Sequence, residues 1–88
     1  MNMRFNAEAA KAATRLYDER RQEEMNRAAE AKVLEIEECI EHEAKDGLHL
    51  FVTCIEERWL AERVSEIIRQ NGFDVSTYGD GKTIHIEW

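Results

Sequence analysis

The sequence predicts an α+β fold: a long N-terminal helix followed by strand, helix, strand and strand, with both helices packed on one face of a three-stranded sheet. Three observations predict it. Residues 6–45 contain neither glycine nor proline, so nothing in them breaks a helix. Two later stretches, 48–54 and 73–88, alternate polar and apolar side chains as half-buried strands do. Between them Leu60, Val64, Ile67 and Ile68 recur at helical spacing. With the last strand in the middle of the sheet every pairing becomes antiparallel, and that arrangement is the one expected.

The first helix opens at Asn6, a good N-cap, with Glu8 in the first turn where the helix dipole favours an acid. Ala9, Ala10, Ala13, Leu16 and Tyr17 then form a narrow stripe of mostly small side chains. Residues 18–24 follow, seven polar residues in a row, about two turns with no apolar side chain. A helix that is polar all round does not lie on its own core, so residues 1–24 are expected to be a helical arm and 25–88 a compact domain. A second stripe of Met25, Ala29, Val33, Ile36, Ile40 and Ala44 has the spacing of a core-facing surface. Glu23 with Arg27, Arg15 with Glu19, and Arg20 with Glu24 are spaced for ion pairs on the exposed side. Asp46-Gly47 ends the helix.

In the first strand Leu48, Leu50 and Val52 fall on one face and His49, Phe51 and Thr53 on the other. Thr53-Cys54-Ile55-Glu56 has the form of a capping box opening the second helix. Gly72 suits the left-handed position that ends that helix, Phe73 can pack back on Ile68, and Arg69 sits in the last turn, where a cation is favoured. Phe73, Val75 and Thr77 alternate with Asp74, Ser76 and Tyr78; Gly79-Asp80-Gly81 makes a tight turn; and Ile84, Ile86 and Trp88 line one face of the last strand.

At 88 residues the chain is one domain, and its net charge of −7 is unevenly placed. Residues 6–30 carry five basic and six acidic side chains, 31–47 two and six, and 48–88 four and seven. An acidic domain is a poor track for phosphates, so direct nucleic-acid binding is not expected. Cys39 and Cys54, with no disulfide framework around them, read as buried thiols of a reduced compartment. With no apolar N-terminal run and no membrane-spanning stretch, the expectation is a soluble cytoplasmic protein that does not bind membranes.

Motifs for catalysis are missing: there is no nucleophile elbow, no glycine-rich phosphate loop and no His-Glu-x-x-His. Glu38, Cys39 and His42 share a helix face, but no further ligand is predictably near, so no metal or cofactor is expected and Cys39 reads as a core or boundary thiol. His49, Phe51, Tyr78, His85 and Glu87 are expected on the sheet face away from the helices, where aromatics among acidic side chains suit a protein contact better than RNA. Trp59 flanks the second helix's buried stripe, closing the core or anchoring a partner. Ala9, Ala13, Leu16 and Tyr17 are the expected self-association stripe, because small residues let two helices approach closely.

The C-terminal half, with Gly72-Phe73-Asp74-Val75 after a helix and Asp80-Gly81-Lys82-Thr83-Ile84-His85-Ile86-Glu87-Trp88 closing the chain, resembles the tail of many small, functionally unassigned bacteriophage proteins. The resemblance covers residues 47–88, rests mainly on turn and core positions, and implies a phage origin with no known activity. The expectation is thus a non-enzymatic protein-binding module in the host cytoplasm or the virion, self-associating through its arm and contacting a host or virion protein. The alternatives are a virion component with no host target, an enzyme or small-ligand binder using Cys39, His42 or the sheet-face His49 and His85, or a binder of a nucleotide signal using Arg58, Arg63, Arg69 and Lys82.

Overall fold

The computed structural model describes residues 3–88. Its elements are α1 (Ala7–Lys45), β1 (Leu50–Cys54), α2 (Arg58–Gln70), β2 (Asp74–Tyr78) and β3 (Thr83–Glu87). The fold is the expected α+β one: the sheet order is β1-β3-β2, and both pairings are antiparallel.

Asn6 caps α1, its side-chain oxygen accepting the Ala9 N–H at 3.0 Å. The 39-residue helix passes through residues 18–24 without a break, since every side chain there tolerates a helix and none needs a core to lie against. At 1.5 Å per residue it is about 58 Å long, and the molecule measures 72 × 24 × 19 Å. The radius of gyration is 18.7 Å, against about 12 Å for a compact chain of this length. The excess is the protruding N-terminal part of α1.

The core sits between the helices and the inner face of the sheet. Ala29, Ile36 and Ile40 come from α1, Ala61, Val64 and Ile68 from α2, and Ile84 and Ile86 from the central strand. Ile55, in the link before α2, fills the end of this layer, and its N–H donates to the Lys82 carbonyl at 2.8 Å. α2 stops as its sequence dictates. Gly72 takes φ +91 and its N–H donates to the Arg69 carbonyl at 3.0 Å, while Phe73 packs against the core. The turn Gly79–Lys82 is wound in the left-handed sense, with φ of 48, 35 and 77 at Gly79, Asp80 and Gly81.

Several local expectations are corrected. β1 has the opposite facing: Phe51 pairs with Ile86 and Thr53 with Ile84, so Phe51 and Thr53 face the helices while Leu50, Val52 and Cys54 face outward. An edge strand with apolar side chains on both faces does not reveal its inner face by alternation, and the register to β3 decides it. The capping box is not formed. Thr53 and Cys54 remain in β1 to pair with Ile84 and Thr83, and α2 starts three residues after Ile55 with Glu57 as its N-cap. Ala44 is exposed, because each four-residue step turns about 40° further from the core-facing side. Cys39 and Cys54 are both exposed rather than buried. The pairs Glu23–Arg27, Arg15–Glu19 and Arg20–Glu24 are absent from the ion pairs of the described residues; α1 instead pairs Lys32 with Glu35 at 3.1 Å and Lys45 with Glu41 at 2.9 Å.

Candidate functional site

Two surfaces are left uncovered by the fold. The first is the open face of the sheet. The strand register places Val52, His85 and Ser76 in one row across it, with Cys54, Thr83 and Tyr78 in the next towards the turn and Leu50, Glu87 and Asp74 on the other side. Leu50, Val52 and Tyr78 are exposed. The Tyr78 ring meets His85 edge-on, with centroids 4.7 Å apart. The face thus carries Leu50 and Val52 along β1 and Tyr78 with His85 towards the turn, while Asp74 and Glu87 make the end that holds Leu50 acidic.

Of the residues expected on this face, Tyr78, His85 and Glu87 lie there, and Phe51 does not. His49 is exposed just before β1, where its carbonyl accepts the Trp88 N–H at 3.1 Å and lengthens the β1–β3 ladder. Trp59 lies away from the sheet face, at the start of α2. Its indole N–H donates to Glu57 at 2.6 Å, and the ring lines a surface recess of about 250 Å³ with Arg21, Glu24, Met25 and Ala28. Leu50 and Val52 are the members of the open face that sequence reasoning missed, because alternation alone assigned them inward.

The second surface is α1 itself. Ala13, Leu16 and Tyr17 are exposed, with Ala9 half-buried. The domain's hold on the helix reaches back to Gln22, whose carbonyl oxygen, in the amide orientation that satisfies both groups, accepts from the Arg63 guanidinium at 3.1 Å. Leu34, also exposed, lies within the domain part of the helix but points to solvent. The sequence signal for Leu34 was available: it stands eighteen residues after Leu16, about five full turns, and so repeats its angular position.

The side chains weighed for chemistry are dispersed or engaged. His42 Nε2 faces Asp46 at 3.6 Å, and among the described residues no three His, Cys, Asp or Glu side chains come together as a metal site. Lys45 holds the Glu41 carboxyl below its ordinary range, through the hydrogen bond first and charge attraction second, and its own ammonium is raised in return. Arg58 pairs with Glu62 at 3.3 Å, Arg63 with Gln22, and Arg69 donates to the Val75 carbonyl at 3.2 Å, tying the end of α2 to β2. An apolar groove of about 160 Å³ runs between α1 and the end of α2, lined by Val33, Ile36, Ile40, Ile68 and Phe73 with Glu37 and Asn71. None of the four cations lines either recess. Among the described residues no helix is long and apolar enough to cross a membrane. Compared with known proteins, the chain matches no family model, no curated protein and no solved structure.

Proposed function

We propose that this protein is a non-enzymatic protein-binding module that associates with a second copy through α1 and presents the open sheet face to another protein. The observation that supports it most is the helix: its first three to four turns project past the domain with apolar side chains in solvent. A segment of that length is marginally stable alone in water, so a helix kept there gains by packing against a partner. The uncovered sheet, with Leu50, Val52, Tyr78 and His85 on one face, supplies a second contact area separate from the first. The likeness of residues 47–88 to small phage proteins gives this reading its setting, in which the second partner is a host or virion protein.

Sedimentation equilibrium of the full chain at tens of micromolar tests the self-association. The expected mass is above that of the 10.3 kDa monomer and returns to it in a Leu16→Asp variant. A monomer mass for the unsubstituted chain overturns the proposal.

A further inference from the structure

We infer that α1 pairs with the α1 of a second copy in antiparallel orientation, with the two-fold axis at the level of Met25. The inference rests on the self-association proposed above and specifies its geometry. At about 100° per residue, Ala29, Ile36 and Ile40 mark the side of α1 that meets the core. Leu16 and Leu34 share one angular position on the far side, and they are 48% and 61% exposed. Between them on that side stand Arg20, Glu23, Arg27 and Glu30, all exposed. Among the described residues none of these four enters an ion pair or a side-chain hydrogen bond. The face therefore reads Leu, Arg, Glu, Arg, Glu, Leu at alternating steps of four and three residues, the spacing of a coiled-coil seam.

The order of those six side chains decides both occupant and direction. They are arranged symmetrically about Met25, so a second copy running the opposite way sets Leu16 against Leu34, Arg20 against Glu30 and Glu23 against Arg27. By symmetry each contact is made twice. A parallel copy in register instead sets every charge against itself, giving four successive like-charge layers. The seam is complementary to itself only when reversed. Sterics agree: because the seam lies opposite the core-facing side, the two α+β domains project outward from the pair and do not meet. Ala9 and Ala13 then lie beside the second copy's Glu41 and Glu37, where small side chains leave room for the glutamate stems. Tyr17 flanks the seam rather than lying in it.

Disulfide trapping distinguishes the orientations. Chains with Leu16→Cys and chains with Leu34→Cys, both also carrying Cys39→Ser and Cys54→Ser, are mixed in a glutathione redox buffer. The expected result is a covalent dimer in the mixture, at a yield well above that of either chain alone. Ready trapping of Leu16→Cys with itself overturns the antiparallel pairing while leaving self-association intact. A dimer in sedimentation that traps in neither mixture nor single chains overturns the register. A monomer that never traps overturns the reading beneath both. Charge reversal gives an independent measure: Arg27→Glu should weaken the dimer about tenfold, and Glu23→Arg combined with Arg27→Glu should restore it. An unchanged dissociation constant for the single reversal, or no recovery in the double, overturns the pairing.

Discussion

Replacing Ser65 with alanine should make this protein more stable. Ser65 is 1% exposed on the buried face of α2, and its hydroxyl oxygen has no hydrogen-bond partner among the described residues. Ala61 and Ile68, one turn away on either side, share that face and belong to the core. A hydroxyl buried without a partner costs about 1–3 kcal/mol by mutational measure. Alanine adds roughly 0.5 kcal/mol of helix propensity at the same position. Against this, removing one oxygen leaves a void of about 10–15 Å³, which at about 24 cal/mol per Å³ costs roughly 0.3 kcal/mol. The net gain is about 1–3 kcal/mol, or about 5–25 °C in melting temperature for a chain of this size. Thermal melts by circular dichroism read the shift, and urea titration should show a higher midpoint with an unchanged slope. Ser65→Thr keeps the hydroxyl and should show no such gain. If Ser65→Ala melts lower than the parent, the hydroxyl is bonded, the Ala61 carbonyl one turn back being the nearest acceptor by helix geometry, and the reasoning fails.

Gly72→Val should destabilise more than Gly79→Val, by about 1–2 kcal/mol, because φ +91 lies outside the left-handed region that side chains tolerate and φ +48 lies at its edge. A Cβ at Gly72 meets nothing within 4 Å, so the cost is backbone strain alone, and melts ranking the two variants the other way would show that α2 does not end there. In the folded protein both exposed thiols, Cys39 and Cys54, should react with a thiol reagent as completely as in the denatured chain; protection of Cys54 in the monomer would contradict the outward facing of β1. Glu41→Gln should leave the melting temperature at neutral pH unchanged, since the Glu41–Lys45 pair is exposed. What little the pair contributes has a fixed sign: the lowered Glu41 pKa makes it present above the ordinary carboxylate range and lost as pH falls through the folded value, while the raised Lys45 pKa makes it lost as pH rises past that group's own. A neutral-pH melt that drops with Glu41→Gln would refute this.

What the sequence made legible were the features set by backbone chemistry. The stop at Gly72, the left-handed turn at Gly79-Asp80-Gly81 and the Asn6 cap each require a particular residue type at one position, and the structure uses them as read. The sheet has β3 central, the order preferred because it makes every pairing antiparallel, although the order of elements alone does not dictate it. What was not legible depended on contacts between distant segments. Leu50 and Phe51 are equally apolar, and only their pairing with Glu87 and Ile86 says which of them faces the helices. Ile55 could have entered α2 from its own neighbours, but its hydrogen bond to Lys82 holds it in the link. The candidate surfaces suffered in the same way: Tyr78 and His85 could be placed together by alternation within their own strands, whereas Val52 beside them could not.

The central position of β3 also governs how the chain can fold. β1 and β2 do not touch each other in the sheet; each pairs only with β3, which follows both in the chain. Until β3 has been synthesised, neither earlier strand has a strand to pair with; β1 has only α1 beside it, and α2 has only α1 and the unpaired β2 to lie against. During that interval α1 can form, since its hydrogen bonds are local, but the rest of the domain waits. Assembly is therefore gated by the last strand made. A chain cut before Thr83 retains no smaller sheet, only two unpaired strands with apolar side chains in water, and such a fragment is a substrate for aggregation or proteolysis rather than a weakened form of the protein.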